Sequence, residues 1–437
     1  MDNQDKIPTG KVQRATRFFK AGVKVTGNYA AHYMKKTFST ADEDELDRKN
    51  AEEIFKVLSQ LKGSALKIAQ MLSMDTGILP RAYAEKFAAA QNSAMSLSGP
   101  LIMNTFRKYT GKAPQDLFDE FNTNAAFAAS IGQVHEAWKD GKRLAVKIQY
   151  PGVADSIHSD INMVKPFVLR FMRVTEEAAR QYIHEIEERL VEETNYEMEL
   201  ANGLFAAESV NNQPDIIVPN YYADLSNKRI LTMDWVDGIT LNEFIETETD
   251  QEKINHIGQL LMNFIHDQIH HHRRFHADLH PGNFLVTTEY KLVVLDFGCM
   301  KALPDDFYND YFSLVKDEVR DNPEKLREVL YKLDMLRQSD SPEEDALFFD
   351  TTVKSIDIIS QPMKTDFFDF GDTKFFDDLQ EHGESIFNNK AFRNANALRG
   401  SKHGIYLHRT FYGLFAILHR MKAKVQMRTD FADAISV

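Results

Sequence analysis

A chain of 437 residues, 43% of them hydrophobic, can bury a sizeable core, organised as two or three domains or as one large two-lobed unit. Its formal net charge of −13 excludes a general nucleic-acid binder, which needs a basic footprint, and its single cysteine, Cys299, excludes an internal disulfide framework, as in a reducing compartment. No apolar run approaches the roughly 18 residues of a bilayer-crossing helix, and residues 1–10 lack the apolar core of a signal peptide, so a cytoplasmic location is the expectation.

The charge is unevenly placed. Residues 1–40 carry eight Lys/Arg and two acids, which leaves the rest of the chain near −19. Residues 1–45 therefore read as a basic arm, with Lys11, Arg14, Arg17, Lys20 and Lys24 set among Val12, Phe18, Phe19 and Val23. Such an arm docks on the chain's own acidic body or, as a second reading, lies on an anionic membrane surface at the inner face of a membrane. Residues 46–115 form a helical extension. Ile54, Leu58, Leu61, Ala65 and Ile68 recur at helix spacing across Gly63, and a polar break near residues 76–80 precedes a further helix through Tyr83 and Phe87.

The period then changes. Residues 125–130, 133–138 and 143–150 read as three short strands, the last two joined by Asp140-Gly141, a strong hairpin signal. A charge-laced helical stretch follows over about 155–207, and a further short strand pair is expected at 216–218 and 229–233. After Asp237-Gly238 the chain turns mostly helical, interrupted by a β-hairpin over 284–295. Strands with a helical insert (116–236) followed by a helical half (237–437) describe an α+β protein with a small and a large lobe.

The chemistry concentrates in residues 275–298. H-A-D-L-H-P-G-N (276–283) is followed by V-V-L-D-F-G (293–298). Asp278 and Asn283 are five apart, the spacing of a loop in which the Asp positions or deprotonates a phosphate acceptor and the Asn holds magnesium; Asp296 would deliver a carboxylate to a second magnesium. Phosphoryl transfer needs such groups because charge on the phosphate oxygens must be neutralised while the acceptor is held in line. A second D-F-G at 369–371 has no catalytic-loop partner, is expected to lack a preceding strand, and reads as accident. Upstream, L-A-V-K-I (144–148) sets Lys147 in an apolar strand. Alone this is more often a half-exposed strand lysine; with the downstream loop it reads as the lysine that grips α/β-phosphates. His266, His270, His271, His272, His276 and His280 crowd into fifteen residues. His266 and His270 stand i,i+4 as zinc ligands can, but without a partner motif the bland reading takes precedence. His276 and His280 are expected to shape the catalytic loop through hydrogen bonds.

With these motifs in order, the chain resembles the UbiB/AarF family of atypical kinases. A-A-F-A-A-S-I-G-Q-V-H (125–135) is similar to that family's alanine-rich loop, which replaces a glycine-rich one and carries Ala128, Ala129 and Ser130 toward the phosphates. Alanine restricts the φ > 0 conformations that glycine allows, so a changed nucleotide preference is the expectation. L-K-I-A-Q-M (66–71) is similar to the family's K-x-G-Q motif: Lys67 and Gln70 match, and Ala69 stands in place of glycine. E-T-N-Y-E-M-E-L-A-N (193–202) resembles the acidic motif, with Asn195 where the family has Asp. The resemblance implies a two-lobed protein-kinase-like fold with an N-terminal helical extension, Glu199 as ion-pair partner of Lys147, and Glu193 meeting Lys67. It also implies ATP or ADP with Mg2+ as cofactors and a role in isoprenoid-quinone or other lipid metabolism. By position, backbone groups near Met233 and Val236 would meet the adenine edge in the linker between the lobes. The alternative function is a nucleotide-binding pseudokinase scaffold. A small-molecule phosphotransferase of the antibiotic-kinase type ranks last, since it leaves the extension and the alanine-rich loop unexplained.

Overall fold

The computed structural model describes residues 48–56, 58, 64–74, 86, 96–129, 131–172, 176–389, 399–428 and 431. The basic arm, the break near 76–80 and Ser130 lie outside them. The chain divides into two compact units, the first comprising residues 1–201 and 220–235 and the second 202–219 and 236–437. Its helices and mostly antiparallel sheets make an α+β fold.

The first unit is built on an antiparallel sheet. Strands β1 (Glu120–Phe121) and β2 (Phe127–Ala128) both pair with β3 (Gly132–Lys139), which pairs in turn with β4 (Lys142–Gln149). The β3–β4 turn works because Asp140 and Gly141 both take left-handed backbone, at φ 52 and 74, the geometry of a two-residue hairpin whose twist matches its strands. Helix α1 (Ser64–Met74) belongs to the extension, and α2 (Gly99–Thr110) covers the sheet. Helix α2 starts with a proline in its first turn and ends on Gly111 at φ 74, whose N–H donates to Arg107 O, the expected punctuation at both ends. It buries Ile102 and Phe106 against Phe118, Leu144, Val146 and Ile148. Phe106 lies with its ring 6.1 Å from Phe118 and 5.9 Å from Phe121.

Three helices follow, α3 (Val153–Met172), α4 (Glu176–Glu193) and α5 (Tyr196–Ser209), then β5 (Ile216–Ile217) and β6 (Ile230–Asp234). Helix α1 packs on α3 and α4. The Asp160 carboxylate of α3 is fully buried there and accepts from Ser64 of α1 and, at 3.0 Å, from Ser156. The expected pairing of 216–218 with 229–233 is incorrect. Strand β6 lies on β4, Met233 opposite Ala145, whereas β5 belongs to the second unit and runs parallel to β10 (Leu292–Val294), Ile216 opposite Leu292.

In the second unit, β7 (Ile239–Thr240), β9 (Phe284–Val286), β10 and β5 form a four-stranded sheet. Helix α6 (Leu241–Thr247) and α7 (Gln251–His270) follow β7, each capped by a side chain, Thr240 and Asp250. Strand β8 (Arg274–His276) pairs with β11 (Met300–Ala302). The remainder is largely helical, ending in a 20-residue helix, Lys402–Met421. Near its end, β12 (Phe367–Asp369) pairs with β13 (Lys424–Gln426). The second D-F-G thus follows a strand, contrary to expectation. Its role is packing: Phe370 is fully buried, donates its N–H to Ala423 O and accepts from His419 Nδ1 at 2.8 Å.

Candidate nucleotide site

In the first unit, residues 144–149 of β4 are all buried, so Lys147 cannot reach solvent as a half-exposed strand lysine does. It is 8% exposed, and its Nζ donates to Glu199 Oε1 at 2.7 Å; Glu199 itself is 1% exposed. Two buried ions survive only when paired, because each alone carries a desolvation penalty of several kcal/mol. Tyr196, fully buried, places its ring 5.0 Å from the same ammonium. Sequence reasoning missed this residue; its place three before Glu199, one helical turn away, was the available signal.

The alanine-rich segment enters as β2. Phe127 pairs with Val134 and Ala128 with Gln133, and Ala129 donates its N–H to Gly132 O at 2.8 Å. Gly132 has no room for a side chain: a Cβ there would lie 2.7 Å from Ile148 O and 2.8 Å from Tyr196 Oη. A buried polar relay, also missed, runs through the next strand. Leu97 N–H donates to Gln133 Oε1 at 2.8 Å, and Gln133 Nε2 lies 2.9 Å from His135 Nε2. His135 Nδ1 lies 2.8 Å from Asn122 O. The carbonyl can only accept, so Nδ1 carries the proton and Nε2 accepts from the amide. Burial pushes the His135 imidazole down to about 4.

On the extension, Lys67 Nζ reaches Glu193 Oε2 at 3.0 Å, both side chains largely buried. Gln70 lies in α1, and its side chain is outside the described residues. Met233 is flanked by Ala145 of β4 and Tyr221, so its backbone belongs to the sheet. Asp234 N–H donates to Asn220 O and Trp235 N–H to Arg143 O. Val236 opens the second unit.

The second unit assembles the other motif. Strand β8 delivers His276, fully buried, whose N–H donates to Gln268 Oε1 at 2.9 Å and whose Nδ1 accepts from Asp278 N–H at 3.2 Å. Burial holds this imidazole below its ordinary value, so it stays the neutral acceptor that fixes the Asp278 backbone. His280 Nδ1 accepts from Gly282 N–H at 3.0 Å. Both histidines therefore shape the loop. Asn283 Nδ2 donates to Asp278 O at 3.0 Å, which makes its Oδ1 the atom offered to a cation. Leu295 N–H donates to Asn283 O at 2.8 Å, tying the loop to the end of β10. Asp296 sits at φ 57, and its Oδ1 accepts from Gly298 N–H at 3.1 Å. The carbonyl of the buried Phe297 accepts from Asn202 Nδ2 at 2.7 Å, and Arg274 holds Asn202 Oδ1. An amide oxygen and a carboxylate are the hard oxygen donors that magnesium takes.

The histidine cluster makes no comparable case. His270 Nδ1 lies 2.8 Å from Tyr308 Oη, and its ring stacks on Phe431 at 3.8 Å. Burial, then the neighbouring His266 and Arg273, push it down to about 2. Among the described residues, the group of a size to hold a metal is instead His266, Asp267 and His271. Its carboxylate already accepts from Arg428 at 2.7 Å and from Gln213 at 2.9 Å. Burial works to raise Asp267, but His266 and Arg428 override it and hold the group at about 2. A guanidinium on the same oxygen repels a metal ion.

Residues 89–330 match the model of the ABC1 atypical kinase-like domain. The chain belongs to that family. Among the relatives of this ABC1 chain, a probable serine/threonine-protein kinase abkA of Dictyostelium discoideum is 29% identical over 82% of the chain and 66% of its own length. The mitochondrial atypical kinase COQ8B of Danio rerio is 28% identical over 98% of the chain and 69% of its own. The chain thus spans about two thirds of the length of these relatives. A solved structure, the Mycobacterium tuberculosis protein Rv3197 in complex with erythromycin, is 26% identical with a TM-score of 0.61, covering 91% of this chain and 98% of that one. The Dictyostelium discoideum and Danio rerio relatives are named as kinases, and the ABC1 domain here carries in sequence the kinase-like order of strand lysine, helix glutamate, Asp–Asn loop and D-F-G.

Proposed function

We propose that the chain binds ATP or ADP with Mg2+ and transfers or hydrolyses the terminal phosphoryl group, in support of isoprenoid-quinone or other lipid metabolism. The observation that carries this reading is the buried Lys147–Glu199 pair, 2.7 Å apart. Burying two charges has a purpose if Lys147 grips α/β-phosphates while Glu199 keeps it extended. Ala128, Ala129 and Ser130 are assigned to the phosphates, and Val236, just beyond β6, is assigned to the adenine edge, since Met233 is engaged in the sheet. Asn283 and Asp296 hold Mg2+, which when bound neutralises charge on the phosphate oxygens. Asp278 orients the acceptor hydroxyl or water and takes its proton.

Turnover of magnesium–ATP by the purified chain, with lipids, water and a macrolide such as the neighbour's ligand offered as acceptors, tests the reading. Asp278→Asn should lower turnover by about 10²–10⁴ and leave nucleotide affinity unchanged; equal turnover removes Asp278 from the mechanism. A nucleotide-binding scaffold is the second reading, favoured by the Lys67–Glu193 contact, which docks the extension where Gln70 and Lys67 can regulate rather than catalyse. Nucleotide binding with no turnover on any acceptor would select it.

A further inference from the structure

Phe127 is, at 60%, the most exposed large hydrophobic side chain among the described residues. Scattered exposed aromatics are ordinary, but this one is placed and partnered. It immediately precedes Ala128 and Ala129, and its ring stacks on Trp235, centroids 5.9 Å apart and planes 27° apart. Trp235 is the last residue of the first unit and is firmly held. Its N–H donates to Arg143 O at 3.0 Å, the Arg143 guanidinium lies 4.6 Å from its ring, and Glu136 pairs with that guanidinium.

Strand β2 is short and one-sided. It has two register pairs, both with β3, flanked by Ala126 N–H to Val134 O and Ala129 N–H to Gly132 O, and lies off the main strand order of the sheet. A glycine-rich loop moves by backbone rotation; one built of alanines loses the left-handed region and moves less freely within itself. Adjustment over a ligand then falls to the whole of β2. The Phe127–Trp235 stack joins β2 to the residue that follows β6.

We propose that Phe127 and Trp235 form an aromatic clasp that sets the position of the alanine-rich loop for nucleotide binding, Phe127 being the half that moves when nucleotide exchanges. The clasp rests on the nucleotide-binding reading and adds two positioning residues to it. A purely structural role is separable because Phe127 is mostly exposed, so its removal should hardly alter the stability of the fold.

The chain has two tryptophans, Trp138 and Trp235, so Trp138→Phe leaves Trp235 as the sole tryptophan, excited selectively beyond the tyrosine absorption. In that background, titration with magnesium–ATP and magnesium–ADP should change Trp235 emission, and isothermal calorimetry gives the dissociation constant independently. Phe127→Ala should raise the dissociation constant about two- to tenfold, the worth of one aromatic pair, and abolish the emission change, with the thermal midpoint within about 2 °C of the parent. Phe127→Tyr should restore both, and Phe127→Leu neither. Binding by the parent with the same affinity in Phe127→Ala overturns the clasp alone. Calorimetry that detects no binding of either nucleotide to the parent overturns the nucleotide reading and the clasp with it.

Discussion

His135 makes the protein's stability depend on pH in a way that can be isolated. The imidazole is fully buried in β3, stacked 5.2 Å from Phe121, and used as acceptor by Gln133 and as donor to Asn122 O. Its protonation lies near 4 in the folded chain against 6.5 for a free imidazole, because burial disfavours the charged form. Above pH 6.5 both folded and unfolded chains carry it neutral, and the full stability is present. As pH falls from 6.5 the unfolded chain takes up the proton first, so stability drains away until the folded form also titrates near 4. At about 1.4 kcal/mol per pH unit, this one group removes roughly 3 kcal/mol across that window. Other buried histidines add to the slope, so the test compares wild type with His135→Gln, which keeps an amide donor and acceptor but cannot titrate. Urea unfolding of both chains at half-unit steps from pH 7.5 to 4 should show the wild-type advantage shrinking by roughly 3 kcal/mol. A difference that stays constant across the range refutes the argument, and with it the neutral relay from Leu97 to Asn122.

Two further substitutions probe the same unit. Lys147→Met leaves Glu199 buried without its cation and should cost about 3–5 kcal/mol in urea unfolding, whereas Lys147→Met with Glu199→Gln should recover most of that loss; a single variant as stable as wild type would mean the pair is not buried as described. Gly132→Ala drives a methyl against Ile148 O and the Tyr196 hydroxyl, and should cost about 1–3 kcal/mol while weakening nucleotide affinity through displacement of Tyr196. Unchanged stability and affinity in Gly132→Ala would show that the loop relaxes freely there.

Local chemistry was legible in the sequence; distant pairing was not. Asp140-Gly141 announced its hairpin because the turn type demands left-handed backbone at both positions. Lys147 stood out as a charge within an apolar strand, and Asp278 and Asn283 by their five-residue spacing just ahead of a D-F-G. Strand β5 was assigned the wrong neighbour because two residues, Ile216 and Ile217, carry no register information, and their partner β10 lies some 75 residues on. The strand before Asp369 escaped for the same reason, its partner being β13 at Lys424–Gln426. Gly132 looked like one small residue in a small-residue loop; only the approach of Ile148 and Tyr196 explains it. The relay through Gln133 and His135 needed the fold, because alternation along β3 marks those positions as inward but does not say what they meet.

The most direct test of nucleotide binding is thermal unfolding with ATP and with ADP, each with and without magnesium, on wild type and Asp296→Asn. A nucleotide at 100 times its dissociation constant stabilises the folded chain by about 2.7 kcal/mol. A magnesium-dependent rise in midpoint that disappears in Asp296→Asn is the predicted result. No rise with either nucleotide, or a rise that survives in Asp296→Asn without regard to magnesium, contradicts the account.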